Sequence, residues 1–145
     1  MPRYFDQTDT APATLLRRLG AIGYDFMVVI AISFAVTACW LWIMDVETAE
    51  GAGFKSALLV TVFSFFALFW TRTGQTIGMM AWRIRIQAKA GHNITLMQAL
   101  IRFFVAAFSA FCLGAGYLWM LFDDERLTWQ DRLSNSEVVY LPKKK

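Results

Sequence analysis

The chain has 145 residues, of which 57% are hydrophobic and 17% charged, against about 45–50% apolar and about 25% charged in an average soluble domain. Its formal net charge is +3, and the charges avoid three long windows, Phe26 to Met44, Ser56 to Thr71 and Phe103 to Phe122. Uncharged apolar runs of roughly 18–20 residues read as membrane spans, which excludes an ordinary soluble domain and a disordered chain. The length suits a single domain.

Residues 1–14 are polar and read as a cytoplasmic tail, with Thr14 placed to cap the helix that follows. The tail carries Asp6 and Asp9, and the apolar run after it exceeds a signal core of about 7–15 residues. Val36-Thr37-Ala38-Cys39 resembles a lipoprotein cleavage site, but Trp40 to Met44 continue the apolar run past the cysteine. The first span is predicted over Leu15 to Met44, with Arg17-Arg18 at the inner interface and Trp40 and Trp42 at the outer one. Residues 45–55 hold three carboxylates and one lysine and read as an external loop. The second span is predicted from Gly53 to Thr71.

Gly74-Gln75-Thr76-Ile77-Gly78 then breaks or turns the chain. Residues 79–86 are amphipathic, and Arg83 to Gln87 alternates with the period of a strand. Ala90-Gly91-His92-Asn93 is turn chemistry, and Ile94-Thr95 is predicted as the returning strand of a small cytoplasmic hairpin. The third apolar segment, Ala99 to Phe122, reads two ways. As one helix it crosses once; broken around Leu113-Gly114-Ala115-Gly116, it returns to its starting side. Residues 123–145 carry five cations, and the positive-inside rule counts cations, which favours a cytoplasmic C-terminus and the broken form. A loop, a short helix and a strand over Ser136 to Leu141 follow, and the strand can join the hairpin in a small sheet if both lie on one side. The expected architecture is thus an all-α membrane protein with a small cytoplasmic β element: tail 1–14, membrane domain 15–141 and basic tail 142–145.

Arg18 and Asp25 are the most informative charges. Seven residues apart, they share one helix face about 10 Å apart along the axis. A carboxylate near the middle of a span costs roughly 2.5–3.5 kcal/mol, so such residues face a bundle interior or a wet cavity and are functional candidates. The structural reading is a carboxylate neutralised by Arg17, Arg18 or Arg102. Gly20, Ala21 and Gly23 suit close helix packing. Gly74 and Gly78 match G-x-x-x-G, but at a span end they read as a turn or cap. Cys39 and Cys112 read as small buried hydrophobes, and His92 and Asp123 to Glu125 as solvated. Lys143 to Lys145 read as a soluble tail or as a contact with anionic lipid. No H-E-x-x-H, Walker, G-x-S-x-G or C-x-x-C motif occurs, so no enzyme activity, metal or cofactor is expected.

Together these residues resemble the RDD family of bacterial membrane proteins, named for one arginine and two aspartates. Arg18-Leu19-Gly20-Ala21-Ile22-Gly23-Tyr24-Asp25 fits its first motif. Gly74 to Gly78 with Ala81-Trp82-Arg83-Ile84-Arg85 resembles the middle motif, and Gln98-Ala99-Leu100-Ile101-Arg102-Phe103 the opening of the third segment. Thr128-Trp129-Gln130-Asp131-Arg132-Leu133-Ser134 resembles the C-terminal motif and makes Asp131 the second aspartate. Met79 and Met80 stand where many members have a cation, and Asn135-Ser136 where Gly-Thr often precedes the final valines. The resemblance implies a multi-pass protein of the bacterial inner membrane. The activity it implies is transport, with sodium/proton exchange in some members.

Two functions follow as expectations. In the first, Asp25 is the titrating site of a cation or proton transporter, with Arg18 tuning it and Asp131 at the cytoplasmic mouth. Three short segments hardly enclose a pore, so that reading needs a homo-oligomer. In the second, the chain is a membrane anchor or accessory subunit whose charged trio is structural. The expected partners are the lipid bilayer and a second copy or another membrane protein, not nucleic acid. Either way, Arg18 is expected to bridge to Asp131, with Asp25 in the same polar pocket, because one guanidinium offers five donors in a fixed fork. Arg102, Gly74 and Gly78 are the supporting residues.

Overall fold

The computed structural model describes residues 3–142; the basic residues Lys143 to Lys145 lie outside them. In chain order the elements are β1 (Ala11–Pro12), α1 (Leu15–Met44), α2 (Gly51–Arg72), α3 (Ile77–Ala81), β2 (Ile84–Ala88), α4 (Leu96–Phe111), α5 (Ala115–Leu118) with a 3-10 turn (Trp119–Leu121), α6 (Trp129–Leu133) and β3 (Ser136–Tyr140).

The first span has the bounds its charges predict. Thr14 occupies the cap position, but its side chain makes no capping bond. At 30 residues α1 is about 45 Å long, more than the ~30 Å hydrocarbon core. Its buried residues are Arg18, Ala21 and Asp25, all near its start. Those of α2 are Ala67 and Trp70, near its end. The rest of both helices shows large apolar side chains outwards, among them Phe26, Phe34, Trp42 and Leu59. So much bare apolar surface marks an interaction with lipid or protein. Both helices are long and apolar enough to cross a bilayer.

The packed core sits at the opposite end from the α1–α2 turn. Ala13, Ala21, Trp70, Ile84, Ile86, Ile94, Ala99 and Val138 are buried there together, under a three-stranded antiparallel sheet in the order β1-β3-β2. Arg85 faces Val139, and Pro12 also faces Val139 from the other edge. The N-terminal segment therefore docks rather than trailing free: Ala11 pairs with Tyr140, and Tyr4 bridges to His92. The predicted hairpin does not form. β2 pairs with β3, and Ile94-Thr95 is no strand because Thr95 opens α4 with a capping box closed by Gln98.

The sheet also constrains topology. It joins chain from before α1, between α2 and α4, and after α6. If α1 and α2 each cross once, all three strands share one side, and the third apolar segment makes no net crossing. Its geometry agrees. α4 has 16 residues, about 24 Å, and a 103° bend separates it from α5 and the 3-10 turn. The turn is made by Leu113 and Gly114 at φ 56° and 77°, a region natural for glycine and costly for leucine. The third segment is sharply bent, broken where the glycines predict.

Candidate functional site

Asp131 is the centre of the buried charge. It lies on α6, fully buried. Arg18 Nη1 of α1 reaches its Oδ2 at 2.5 Å, and Arg102 Nη1 of α4 its Oδ1 at 2.6 Å. The Thr128 N–H donates to Oδ2 at 3.1 Å, closing the turn that starts α6. Arg102 also donates to Ser136 Oγ of β3 at 2.6 Å. Arg18 Nε donates to the Ala13 carbonyl at 3.3 Å, beside β1. One carboxylate thus ties α1, α4, α6 and the sheet together. Burial opposes its ionisation, but Arg102 and Arg18 outweigh burial and hold its carboxyl below the usual carboxylate range.

The expected bridge from Arg18 to Asp131 is present. The expected sharing is inverted: two arginines serve one aspartate, rather than one arginine serving two. Asp25 makes no ion pair among the described residues. Its Oδ2 accepts from the Thr76 hydroxyl, and its Oδ1 accepts from the Gly78 N–H at 2.8 Å. Thr76 Oγ in turn accepts from the Met79 N–H, so Asp25 seals the start of α3. A Cβ on Gly78 would lie 2.2 Å from the Ala21 carbonyl oxygen, and only glycine lets α3 approach α1 so closely. Gly74, at φ 72°, makes the turn before α3, and its carbonyl accepts from Ile86 N–H at 2.7 Å. Gly20 seats the Trp82 ring. Gly23 has open space.

Arg17 turns outward, stacks 4.1 Å over Tyr140 and donates to the Trp82 carbonyl. It does not neutralise Asp25. Cys39 is exposed and Cys112 half-buried; Cys39 lies on an outward face of α1 and Cys112 in the turn that ends α4, so neither thiol is in the core. His92 is half-buried rather than solvated, with Tyr4 edge-on at 5.7 Å. Asp123 pairs with Arg132, and Glu125 with Lys89. No group of three or more His, Cys, Asp or Glu among the described residues is set to hold a metal.

Asp25, Arg18 and Arg102 face one cavity of about 280 Å³. It is not the polar pocket expected: Ile22, Phe26, Phe66, Phe103 and Met79 form most of its wall. A second chamber of about 230 Å³ lies towards the sheet, lined by Arg126, Glu125 and Glu137. Arg18 stands on the wall of both. Thr76, Gln130 and Ser136 are buried contributors that the sequence reading missed. Only the need of an intramembrane carboxylate for donors hinted at Thr76.

Two helices able to span a bilayer, a bent third apolar segment and a sheet clasped to them by buried arginines and an aspartate define a helical membrane protein with its polar core at one end of the helices. The chain belongs to the RDD family, whose family model matches residues 12–135. Comparison with curated proteins and with solved structures finds no significant match.

Proposed function

We propose that the protein moves a proton or a small cation across the bacterial inner membrane, with Asp25 as the carrier. One observation supports this most: both arginines that line the cavity, Arg18 and Arg102, are committed to Asp131, while Asp25 faces the same cavity with only neutral donors. A membrane carboxylate without a cationic partner is a functional candidate by default, and here a proton or cation has a place to neutralise it. Arg18 and Val138 line both this cavity and the polar chamber beside the sheet, and Arg18 carries its ion pair with Asp131 at that boundary. The cavity is only partly enclosed, so a second copy or another membrane protein completes the path. No cofactor, enzymatic step or nucleic acid enters this reading.

The second reading, an anchor or accessory subunit, is favoured by the bonds of Asp25 to Thr76 and Gly78, which give the carboxylate a packing role at the start of α3. Ion flux in liposomes separates the two. Wild type is expected to exceed lipid alone, and folded Asp25→Asn to lose at least tenfold. Equal nonzero flux in both removes Asp25 as the carrier. No flux above lipid for protons, sodium or potassium leaves the accessory reading.

Orientation is tested separately. With the N-terminus cytoplasmic, reporter fusions after Glu50, Lys89 and Lys145 should read out, in and in. An external signal at Lys145 would contradict the re-entrant third segment.

A further inference from the structure

Arg17 and Arg83 are cations that the clasp does not use. Neither is in an ion pair among the described residues, where the cations of the four pairs are Arg18, Lys89, Arg102 and Arg132. The two spring from neighbouring points. Arg17 Nη1 donates to the Trp82 carbonyl at 3.2 Å, and that carbonyl belongs to the peptide group joining Trp82 to Arg83. Stacking 4.1 Å over the Tyr140 ring holds the Arg17 guanidinium in place. A guanidinium carries five donors, and the bond to Trp82 uses one of them. Arg83 is exposed. Neighbouring guanidiniums without a carboxylate attract a compact anion, and phosphate oxygens match their forks.

The surface next to them tells which phosphate. Arg17, Gly20, Tyr24 and Met27 follow one stripe of α1, because residues three and four apart are neighbours on a helix. Gly20 seats the Trp82 ring, and Tyr24 and Met27 are exposed. The stripe passes from cation to indole to bare apolar side chains. That is the order of headgroup, interface and acyl chain in one leaflet of a bilayer. We infer that Arg17 and Arg83 hold the phosphate of an anionic phospholipid, whose acyl chain lies along Tyr24 and Met27. A soluble phosphate would leave the apolar half of the stripe bare. A zwitterionic lipid offers the same phosphate but brings its own cation against the two guanidiniums. The inference rests neither on ion movement nor on Asp25.

Lipid titration of the full chain in a neutral detergent, read by native mass spectrometry, tests it. The probes are phosphatidylglycerol and phosphatidylcholine with identical acyl chains. One cation at an anionic headgroup is worth about fivefold in binding, so two should give the wild type a preference for phosphatidylglycerol of at least roughly tenfold. Arg83→Gln should lower that preference about fivefold, and Arg17→Gln with Arg83→Gln should abolish it. Arg3→Gln with Arg72→Gln removes the same charge elsewhere at this end of the molecule, where Asn93 links the Arg3 backbone to the last turn of α2. That control should keep the preference. Equal binding of the two lipids by wild type, or an unchanged preference in the Arg17/Arg83 variant, would overturn the site. An equal fall in the control would mean diffuse attraction to a basic surface and would overturn it too. Should Arg17→Gln fail to fold, the exposed Arg83→Gln set against the control decides alone.

Discussion

The two aspartates buried at the polar end of the helices are held in opposite ways. Asp131 has two guanidiniums and a backbone N–H on its oxygens. Asp25 has a hydroxyl and a backbone N–H, and no cation among the described residues. Both are almost completely buried. Desolvation is therefore answered by charge at one site and by dipoles at the other. Charge compensation fixes a protonation state and welds elements together. Dipoles hold a carboxyl group in place while leaving its charge unanswered. The first arrangement suits a clasp and the second a site that exchanges a proton or ion.

The largest effect that could break this comparison is at the clasp. Asp131→Asn removes the charge between Arg18 and Arg102 and leaves two buried cations facing one another. Breaking a buried pair by removing one partner typically costs about 3–5 kcal/mol, and a loss of that order is expected in unfolding titrations from mild to denaturing detergent. Arg18→Met should cost less, because Arg102 still holds Asp131. Combining it with Asp131→Asn should recover part of the loss. A double-mutant cycle with no coupling would mean that the clasp contributes no stability.

Acid probes the same clasp without a substitution. The Asp131 carboxyl is held below its ordinary value of 3.8, so its contribution is fully present above about that pH. It is lost as pH falls through the lower folded value. Unfolding monitored between pH 7 and 2 should therefore stay level down to about pH 4 and steepen below it. In Asp131→Asn that acid-side loss should be smaller, the remainder coming from Asp123, whose carboxyl the Leu127 N–H and Arg132 also hold low.

A next, smaller effect concerns the contact that presents donors to Asp25. Gly78→Ala drives a methyl group against the Ala21 carbonyl oxygen. Overpacking of this kind costs about 1–3 kcal/mol, read in the same titration. Gly23→Ala, on the same helix as Ala21 but with open space around it, is the control and should be neutral or slightly stabilising.

Much of this comparison was legible in the sequence, and the missing parts have physical causes. The spans follow from charge-free windows, and the break of the third segment follows from Gly114. Arg18 and Asp131 come together as the donor fork of the guanidinium predicts. Arg102 as a second clasp was underread, although a cation just inside an apolar run always needs a partner. The misplaced hairpin came from reading Ile94-Thr95 as a strand, where Thr95-Leu96-Met97-Gln98 spells a helix start. β1 is two residues long and has no period to detect. The partners of Asp25 sit 51 and 53 positions away, at the cap and in the first turn of a helix of five residues whose docking no local pattern encodes.

The smallest effect sharpens the contrast most, because it repeats the first substitution at the other site. Asp25→Asn keeps the shape of the side chain and one carbonyl oxygen. That oxygen can still accept from the Gly78 N–H, while the amide group can turn towards Thr76, whose hydroxyl can accept as well as donate. No cation is stranded, since none faces Asp25 among the described residues. The loss in the detergent titration should stay within about 1 kcal/mol, the net worth of a typical hydrogen bond. The same chemical change would thus cost severalfold less at Asp25 than at Asp131. A loss at Asp25 as large as that at Asp131 would show that its charge is part of the fold, and the distinction between clasp and exchange site would collapse.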